Sequence, residues 1–490
     1  MPIVPIVPIV PIVSIVSIVS IVRRVAHLAR TSVVSGALLL GVRASVAAQG
    51  TATPRTERWR FLAPGTAVSD DPRRVPVAPG PRGPAGTIVL RGGRIFDGTG
   101  AAIREGTLVI ERNAIARIVA PGVTDWPAEA RVIDVSGKTV LPGLIDLHTH
   151  ITYPDPNTPG PIANSMADAA LRGADHLRYY IESGITSIRD VDSQNEVPFR
   201  LQAWVRDNRL VGPRIFAVGQ LITGTGGHGA DGGDYNSVAD GMIRVASGPD
   251  DWRNAVREQF ARGADVIKIA SHFSRAEVQA AIDEAHELGL KVTCDCETFY
   301  ITRAVEAGID MIEHPLPRSD ETIRLMAQRG TEADPTLVPY ILIFNSAGGY
   351  YGTPSRRFTF SKDADFELVR KMKQAGIKLG IGTDLVVDWY RMLPGPYITE
   401  LKQFVRLGYS VPEVLGIATR VNAQLLDMAD KLGTLEPGKL ADVTVVDGKP
   451  DVSLDDLARV FLVIRDGYVA VDHGQLAIPR HVPVPMPADR

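Results

Sequence analysis

Ile88–Leu90, Arg94–Phe96, Leu108–Ile110, Ala114–Val119 and Arg131–Val135 are apolar, β-branched runs parted by glycine and asparagine turns. Runs at this spacing predict a small all-β module over residues 88–140. Past Leu141 the period changes. Buried-strand runs alternate with helical stretches, predicting strands at Gly143–Leu147, Thr186–Arg189, Arg214–Val218, Asp265–Ile269, Lys291–Cys294, Asp310–Glu313, Thr336–Val338 and Lys378–Gly382. Helices are predicted between them, among them Arg275–Leu288 and Asp363–Gln374. Eight such units are what a (β/α)8 barrel requires. β character then returns at Ala441–Val446 and Val460–Arg465. The expected fold class is α/β: a (β/α)8 TIM barrel over 141–430, with a small composite β-sandwich built from segments 88–140 and 431–478 and a tail at 479–490.

The N-terminus follows other rules. Residues 2–22 repeat Pro-Ile-Val four times and Ser-Ile-Val three times. The run is long and apolar enough to suggest a bilayer span, but proline at every third position forbids a regular helix. It reads as low complexity. Arg23, Arg24 and Arg30, the apolar stretch Thr31–Val42 and the small residues Val46-Ala47-Ala48 then form a secretory signal pattern, so 1–48 is expected to be removed on export. Residues 49–87, rich in Pro, Arg and Gly, read as linker. A periplasmic or secreted protein with no stable membrane span after cleavage is the expectation.

The 490 residues carry 53 Lys+Arg against 56 Asp+Glu, a formal charge of −3. With basic residues scattered, there is no electrostatic footprint for nucleic acid. Cys294 and Cys296 are the two cysteines. On an extended strand residues two apart lie about 7 Å apart, too far for easy bridging, so both are expected to pack against the helices.

The strongest chemical signal is Leu141-Pro142-Gly143-Leu144-Ile145-Asp146-Leu147-His148-Thr149-His150. His148 and His150 alternate on a strand end, so both imidazoles face one side, a spacing suited to two ligands on one divalent ion. An accidental buried histidine pair would cost desolvation with no return.

This segment resembles the first-strand metal motif of the amidohydrolase superfamily, and the resemblance extends over residues 88–470. Arg91-Gly92-Gly93-Arg94-Ile95-Phe96-Asp97-Gly98 is similar to that family's opening sandwich strand. Gly433-Thr434-Leu435-Glu436-Pro437-Gly438-Lys439-Leu440-Ala441-Asp442 is similar to its closing one, and Thr419-Arg420-Val421-Asn422-Ala423 to the helix after the barrel. Gly212-Pro213-Arg214 and Gly226-Gly227-His228-Gly229 bring it nearest the imidazolonepropionase-like and Xaa-Pro-dipeptidase-like branch. The resemblance implies further ligands at strand ends: Lys268, carboxylated if it bridges two ions, His314 and Asp384. Asp384 would also take a proton from the attacking water. His228 would approach a substrate carbonyl or carboxylate, and Arg189-Asp190 would support the ligands. Tyr340, beyond Pro335-Thr336-Leu337, is a candidate for the pocket wall. The family often pairs barrels, so a homo-oligomer is possible.

The fifth strand departs from the family. Val292-Thr293-Cys294-Asp295-Cys296-Glu297 places Asp295 and Glu297 where the resemblance expects histidines. By alternation both carboxylates face the barrel mouth, Asp295 as a metal ligand and Glu297 towards substrate. The resemblance implies one or two divalent ions, Zn, Mn or Fe, and anionic oxygen donors shift the preference from the usual Zn²⁺ towards harder ions such as Mn²⁺, Mg²⁺ or Fe²⁺. The implied activity is hydrolysis of a C–N bond (amide, cyclic amide or dipeptide-like) in a small-molecule substrate. An ester, lactone or phosphotriester hydrolase would use the same constellation. A non-catalytic binding protein that has lost the centre through Asp295 and Glu297 is the alternative of another class.

Overall fold

The computed structural model describes residues 83–153, 165–231, 240–347, 350–352, 357–359, 361–386 and 389–478. The repeat, the signal pattern, nearly all of the linker and the tail lie outside the described residues.

The chain opens with β1 (Thr87–Ile95), β2 (Arg104–Glu111), β3 (Ala114–Val119), β4 (Arg131–Asp134) and β5 (Thr139–Pro142). β1 pairs antiparallel with β2 and parallel with β4 and β5. The alternating strands β6 (Leu144–Thr149), β7 (Ile185–Asp190), β8 (Arg214–Ala217), β9 (Leu221–Gly224), β10 (Ile243–Ala246), β11 (Val266–Ala270), β12 (Lys291–Asp295), β13 (Met311–Glu313) and β14 (Glu332–Asp334) follow. They form two parallel sheets, β6-β7-β8 and β10-β9-β11-β12-β13-β14, with a helix following each of β6, β7, β10, β11, β12 and β13. After the hairpin β15 (Tyr350–Gly352) and β16 (Arg357–Thr359), the strands β17 (Val443–Val446), β18 (Val460–Arg465), β19 (Tyr468–Asp472) and β20 (Gln475–Leu476) end the described chain. β17 pairs antiparallel with β5, Thr444 opposite Leu141, so segments from either side of the α/β body meet in one nine-stranded sheet. No helix among the described residues is long and apolar enough to cross a membrane.

The predicted strands of the body fall within a residue or two of β6, β7, β8, β11, β12 and β13. The helix Arg275–Glu287 starts at Ser274, whose hydroxyl accepts from Glu277 N while the Glu277 carboxylate returns to Ser274 N, a capping box. The seventh strand corrects the sequence reading. It is β14, not Thr336–Val338, because the backbone turns at Pro335 and Thr336 (φ +43°) and a helix Leu337–Ala347 begins at once. A uniformly apolar run carries no period that separates buried strand from helix. The eighth position, Lys378–Gly382, is held by isolated bridges rather than a ladder: Ala333 opposite Leu379, and Thr149 opposite Leu385. Buried Asn422 supplies what the ladder lacks. Its Oδ1 accepts from Ile381 N at 3.0 Å, and its Nδ2 donates to Ile145 O at 2.8 Å and Ile381 O at 2.9 Å.

The cysteines are a second correction. Cys294 and Cys296 are disulfide-bonded, with Cα atoms 5.3 Å apart. β12 ends at Asp295, so the chain contracts there and the extended spacing does not apply. Both cysteines are buried in the main core cluster, as packing residues would be.

Candidate metal centre

The C-terminal ends of β6, β11, β12, β13 and the eighth segment bring the predicted ligands together. His148 is wholly buried, and its orientation is fixed from behind: Nδ1 lies 3.0 Å from Glu313 Oε2. Glu313, equally buried, accepts from Arg189 Nη2 at 2.7 Å and from the Thr293 hydroxyl. A carboxylate on one imidazole nitrogen sets the tautomer and aims the other nitrogen outward. Burial, and then the Lys268 ammonium, hold the His148 imidazole well below the usual histidine range. It is therefore neutral, the form that binds metals. His150 is oriented in the same way, with Nδ1 3.2 Å from Asp192 O. His314 Nδ1 lies 2.7 Å from Thr336 Oγ1.

The outward-facing atoms are evenly spaced. Asp384 Oδ1 lies 3.5 Å from His148 Nε2 and 3.1 Å from His150 Nε2. Lys268 Nζ lies 3.4 Å from His148 Nε2 and 3.6 Å from Asp295 Oδ2. Asp295 Oδ2 is 3.2 Å from His314 Nε2. Two ligands about 2.1 Å from one ion in tetrahedral geometry stand about 3.4 Å apart. The histidine nitrogens and the oxygens of Asp384 and Asp295 stand at the spacing of donors around a cation, and these imidazoles and carboxylates fit a divalent metal. His148, His314 and Asp384 form a group whose donor atoms all lie within 4.8 Å of one another.

Lys268 is buried inside this cluster rather than solvated. Asp146, whose carboxylate burial pushes up to about 7, accepts from His148 N, Thr383 N and the Thr383 hydroxyl, and so locks β6 to the loop that carries Asp384. Asp384 N in turn donates to His148 O at 2.8 Å. Asp190 Oδ1 accepts from Ile151 N, in keeping with the supporting role expected of the Arg189-Asp190 pair.

Three assignments need restating. Tyr340 ends no strand; it sits in the first turn of the helix Leu337–Ala347, its ring 5.8 Å from that of His314. Glu297 lies beyond the end of β12, so strand alternation alone does not set the direction it faces. It is buried at the turn into the helix Phe299–Glu306, its backbone carbonyl accepting from Tyr300 N. His228 is joined to the cluster, with Nε2 3.6 Å from Asp295 Oδ2. The sequence reading missed Glu313, Asp146 and Thr336 as supports. The first two are acids set inside apolar runs, a signal that was available. Outside the cluster, His176 stacks on Tyr390 and bonds Ile151 O, while His286 pairs with Asp310.

The amidohydrolase family matches residues 139–471. This chain belongs to the amidohydrolase family. Ochratoxinase of Aspergillus niger is 26% identical over 434 residues, covering 80% of this chain and 87% of that one. Imidazolonepropionase of Desulfotalea psychrophila is 28% identical over 369 residues, covering 66% and 80%. Among solved structures, a Xaa-Pro dipeptidase with bound methionine superposes with a TM-score of 0.69 at 28% identity, over 78% of this chain and 99% of that one. This amidohydrolase has the family's TIM-barrel-like α/β fold, and its candidate ligands sit at the strand ends where barrels of this kind hold their chemistry.

Proposed function

We propose that this amidohydrolase is a metal-dependent enzyme that hydrolyses a C–N bond, of amide, cyclic amide or dipeptide type, in a small molecule. The observation that carries the reading is the convergence of His148, His150, Asp384, Lys268, His314 and Asp295 at 3.1–3.6 Å spacing. The kinship with proteins named Xaa-Pro dipeptidase and imidazolonepropionase supports the bond type. One or two divalent ions, Zn, Mn or Fe, would lower the pKa of a water and polarise the scissile carbonyl. Lys268 would be carboxylated where two ions are held.

The chain's own groups do the rest. His148 and His150 present their Nε2 atoms to the cluster because Glu313 and the Asp192 carbonyl occupy their other sides. Asp384 Oδ1 faces both imidazoles, and its side chain keeps 15% exposure to the mouth. It takes the proton of the attacking water and returns it to the leaving nitrogen. Tyr340 and Glu297 are the candidates for substrate contact.

Asp384→Asn is expected to retain the fold and to lose at least about a hundredfold in turnover on a panel of Xaa-Pro dipeptides and N-acyl amino acids. Elemental analysis of chain purified without chelator should find one or two metal equivalents. A chain that holds no metal after incubation with Mn²⁺ and Zn²⁺ would sink the reading.

We further infer a closed (β/α)8 barrel whose nine-stranded partner sheet folds on itself as a sandwich, the division being 88–140, 141–430 and 431–478. We assign residues 1–48 to export, which places the mature enzyme in the periplasm or outside the cell. N-terminal sequencing of the protein recovered from those fractions should begin near Gln49.

A further inference from the structure

Phe299 is 52% exposed, yet it is not an isolated apolar side chain. It opens the helix Phe299–Glu306 just past Asp295, the end of β12, and belongs to a stack of rings. Its ring lies 4.2 Å from that of Tyr300, which meets buried Phe273 edge-on at 5.1 Å and lies 5.8 Å from the ring of His272. The Arg303 guanidinium sits 4.7 Å from the Phe299 centroid and 5.7 Å from the Tyr300 centroid. It is held there by a 3.1 Å hydrogen bond that its Nη1 donates to Phe273 O. His272 follows the end of β11 and Phe299 the end of β12, so the stack stands at the same end of the body as the metal ligands.

We propose that Phe299 and Tyr300 form an aromatic platform for the substrate, and that the enzyme selects molecules carrying an aromatic group beside the scissile C–N bond. The inference rests on the C–N hydrolase reading above and deepens it by naming a substrate class.

The platform is set before any ligand arrives. Thr298, at the turn that presents it, has φ +51°, a costly conformation for a β-branched residue and one that collects at ligand sites. The turn is pinned from both sides: Thr298 N donates to Pro317 O at 2.9 Å, and Tyr300 N donates to Glu297 O at 3.1 Å. With Arg303 and Tyr300 already against it, the Phe299 ring has little rotamer freedom left to lose on binding. Arg303 also decides which chemistry suits the open side of the ring. A guanidinium over one face already uses the attraction of the ring quadrupole and repels a second cation brought to the other. A ring backed in this way suits an apolar planar partner, offset or edge-on, rather than an ammonium group.

The test uses the full chain with its metal and compares kcat/KM within matched pairs: Phe-Pro against Gly-Pro, and N-acetylphenylalanine against N-acetylglycine. The pairs put the ring on either side of the bond that is cut. Wild type should favour the aromatic member of one pair about tenfold or more, and Phe299→Ala should lower that ratio about tenfold, mainly through KM. Phe299→Tyr, which keeps the ring, should retain it. The ratio compares two substrates on one protein, so a loss of folded enzyme cancels. A wild type without preference in either pair, or a ratio unmoved by Phe299→Ala, overturns the inference and leaves the hydrolase reading standing. An unmoved ratio together with a changed solution mass would assign the ring to a contact between copies of this chain. A wild type that hydrolyses no member of either pair overturns the inference, and one that in addition holds no metal overturns the hydrolase reading as well.

Discussion

Asn422 offers the sharpest test of how the barrel-like body holds its eighth segment against β6. Its side chain makes three hydrogen bonds in a fully buried position, to Ile381 N, Ile145 O and Ile381 O. Both carbonyls keep another donor, Tyr397 Oη on Ile145 O and Leu147 N on Ile381 O. Ile381 N–H loses its acceptor altogether in Asn422→Ala. A buried donor without its acceptor costs about 1–3 kcal/mol, and each of the other bonds about 0.5–1.5 kcal/mol, so the variant should be destabilised by about 2–5 kcal/mol. For a chain of this size that is a fall of several degrees in melting temperature. Asn422→Asp adds a control for direction. Its Oδ1 still accepts from Ile381 N, but a second oxygen then faces two carbonyl oxygens that now accept at 2.8 and 2.9 Å. Only the protonated acid can donate there, so the folded-state pKa is raised. The stabilising contribution is present below the free value of about 3.9 and is lost as pH rises through the folded one. Asn422→Asp should therefore melt closer to wild type at pH 5 than at pH 8, where it should resemble Asn422→Ala. Calorimetry on all three proteins at both pH values decides it. An alanine variant within 1 °C of wild type, or an aspartate variant with equal deficits at both pH values, would refute the clamp.

Glu313→Gln removes the anionic partner of His148 Nδ1 and of Arg189; metal affinity should fall about 10–100-fold by competition with a chelating dye. Glu400 accepts from Leu337 N and Val338 N at the start of their helix, and burial pushes its carboxyl up to about 8. A raised carboxyl stabilises below its unfolded pKa and loses that contribution as pH rises through the folded one. The metal-free chain should accordingly melt lower at pH 9 than at pH 6, and Glu400→Gln, destabilised by about 1–3 kcal/mol through one unmatched N–H, should show a flatter pH dependence. Asp295→His should raise the bound Zn²⁺ to Mn²⁺ ratio in chain grown with both ions, because imidazole is the softer donor. An unchanged ratio would remove Asp295 from the ligand set.

Much of the centre was legible because its residues break local rules. His148, His150, Lys268 and Asp384 are polar groups at the ends of runs that are otherwise apolar, where a purely structural role would be costly. Glu313 and Asp146 break the same rule but sit one residue before and two before a histidine that draws the eye. Asn422 was noted only for its resemblance to the family, since its partners lie 41 and 277 residues away. The seventh strand was misplaced because the run from Leu337 to Phe344 carries no polar period, and the helix start is fixed by Glu400, 63 residues downstream. The disulfide was misread because β12 ends at Asp295, and the spacing of an extended strand was carried past that end.

The backbone at the mouth explains why the fold does not depend on which residue stands at position 295. His314, Thr336 and Asp384 have φ of +63°, +43° and +48°. A left-handed conformation in a non-glycine residue costs about 1–3 kcal/mol and persists only where its surroundings over-determine it. Each is so determined. His314 N donates to Asp334 O, Thr336 Oγ1 meets His314 Nδ1, and Asp384 N donates to His148 O. Beneath them Arg189, Glu313, Asp146 and Asn422 form a buried polar floor whose bonds run between strands. The sixth, seventh and eighth strand ends are therefore fixed without help from the Asp295 carboxylate. Asp295 meets His314 Nε2 at 3.2 Å but is not among the groups that shape the floor, so a substitution there is expected to change the charge at the mouth while the positions of His148, His150, His314 and Asp384 are kept.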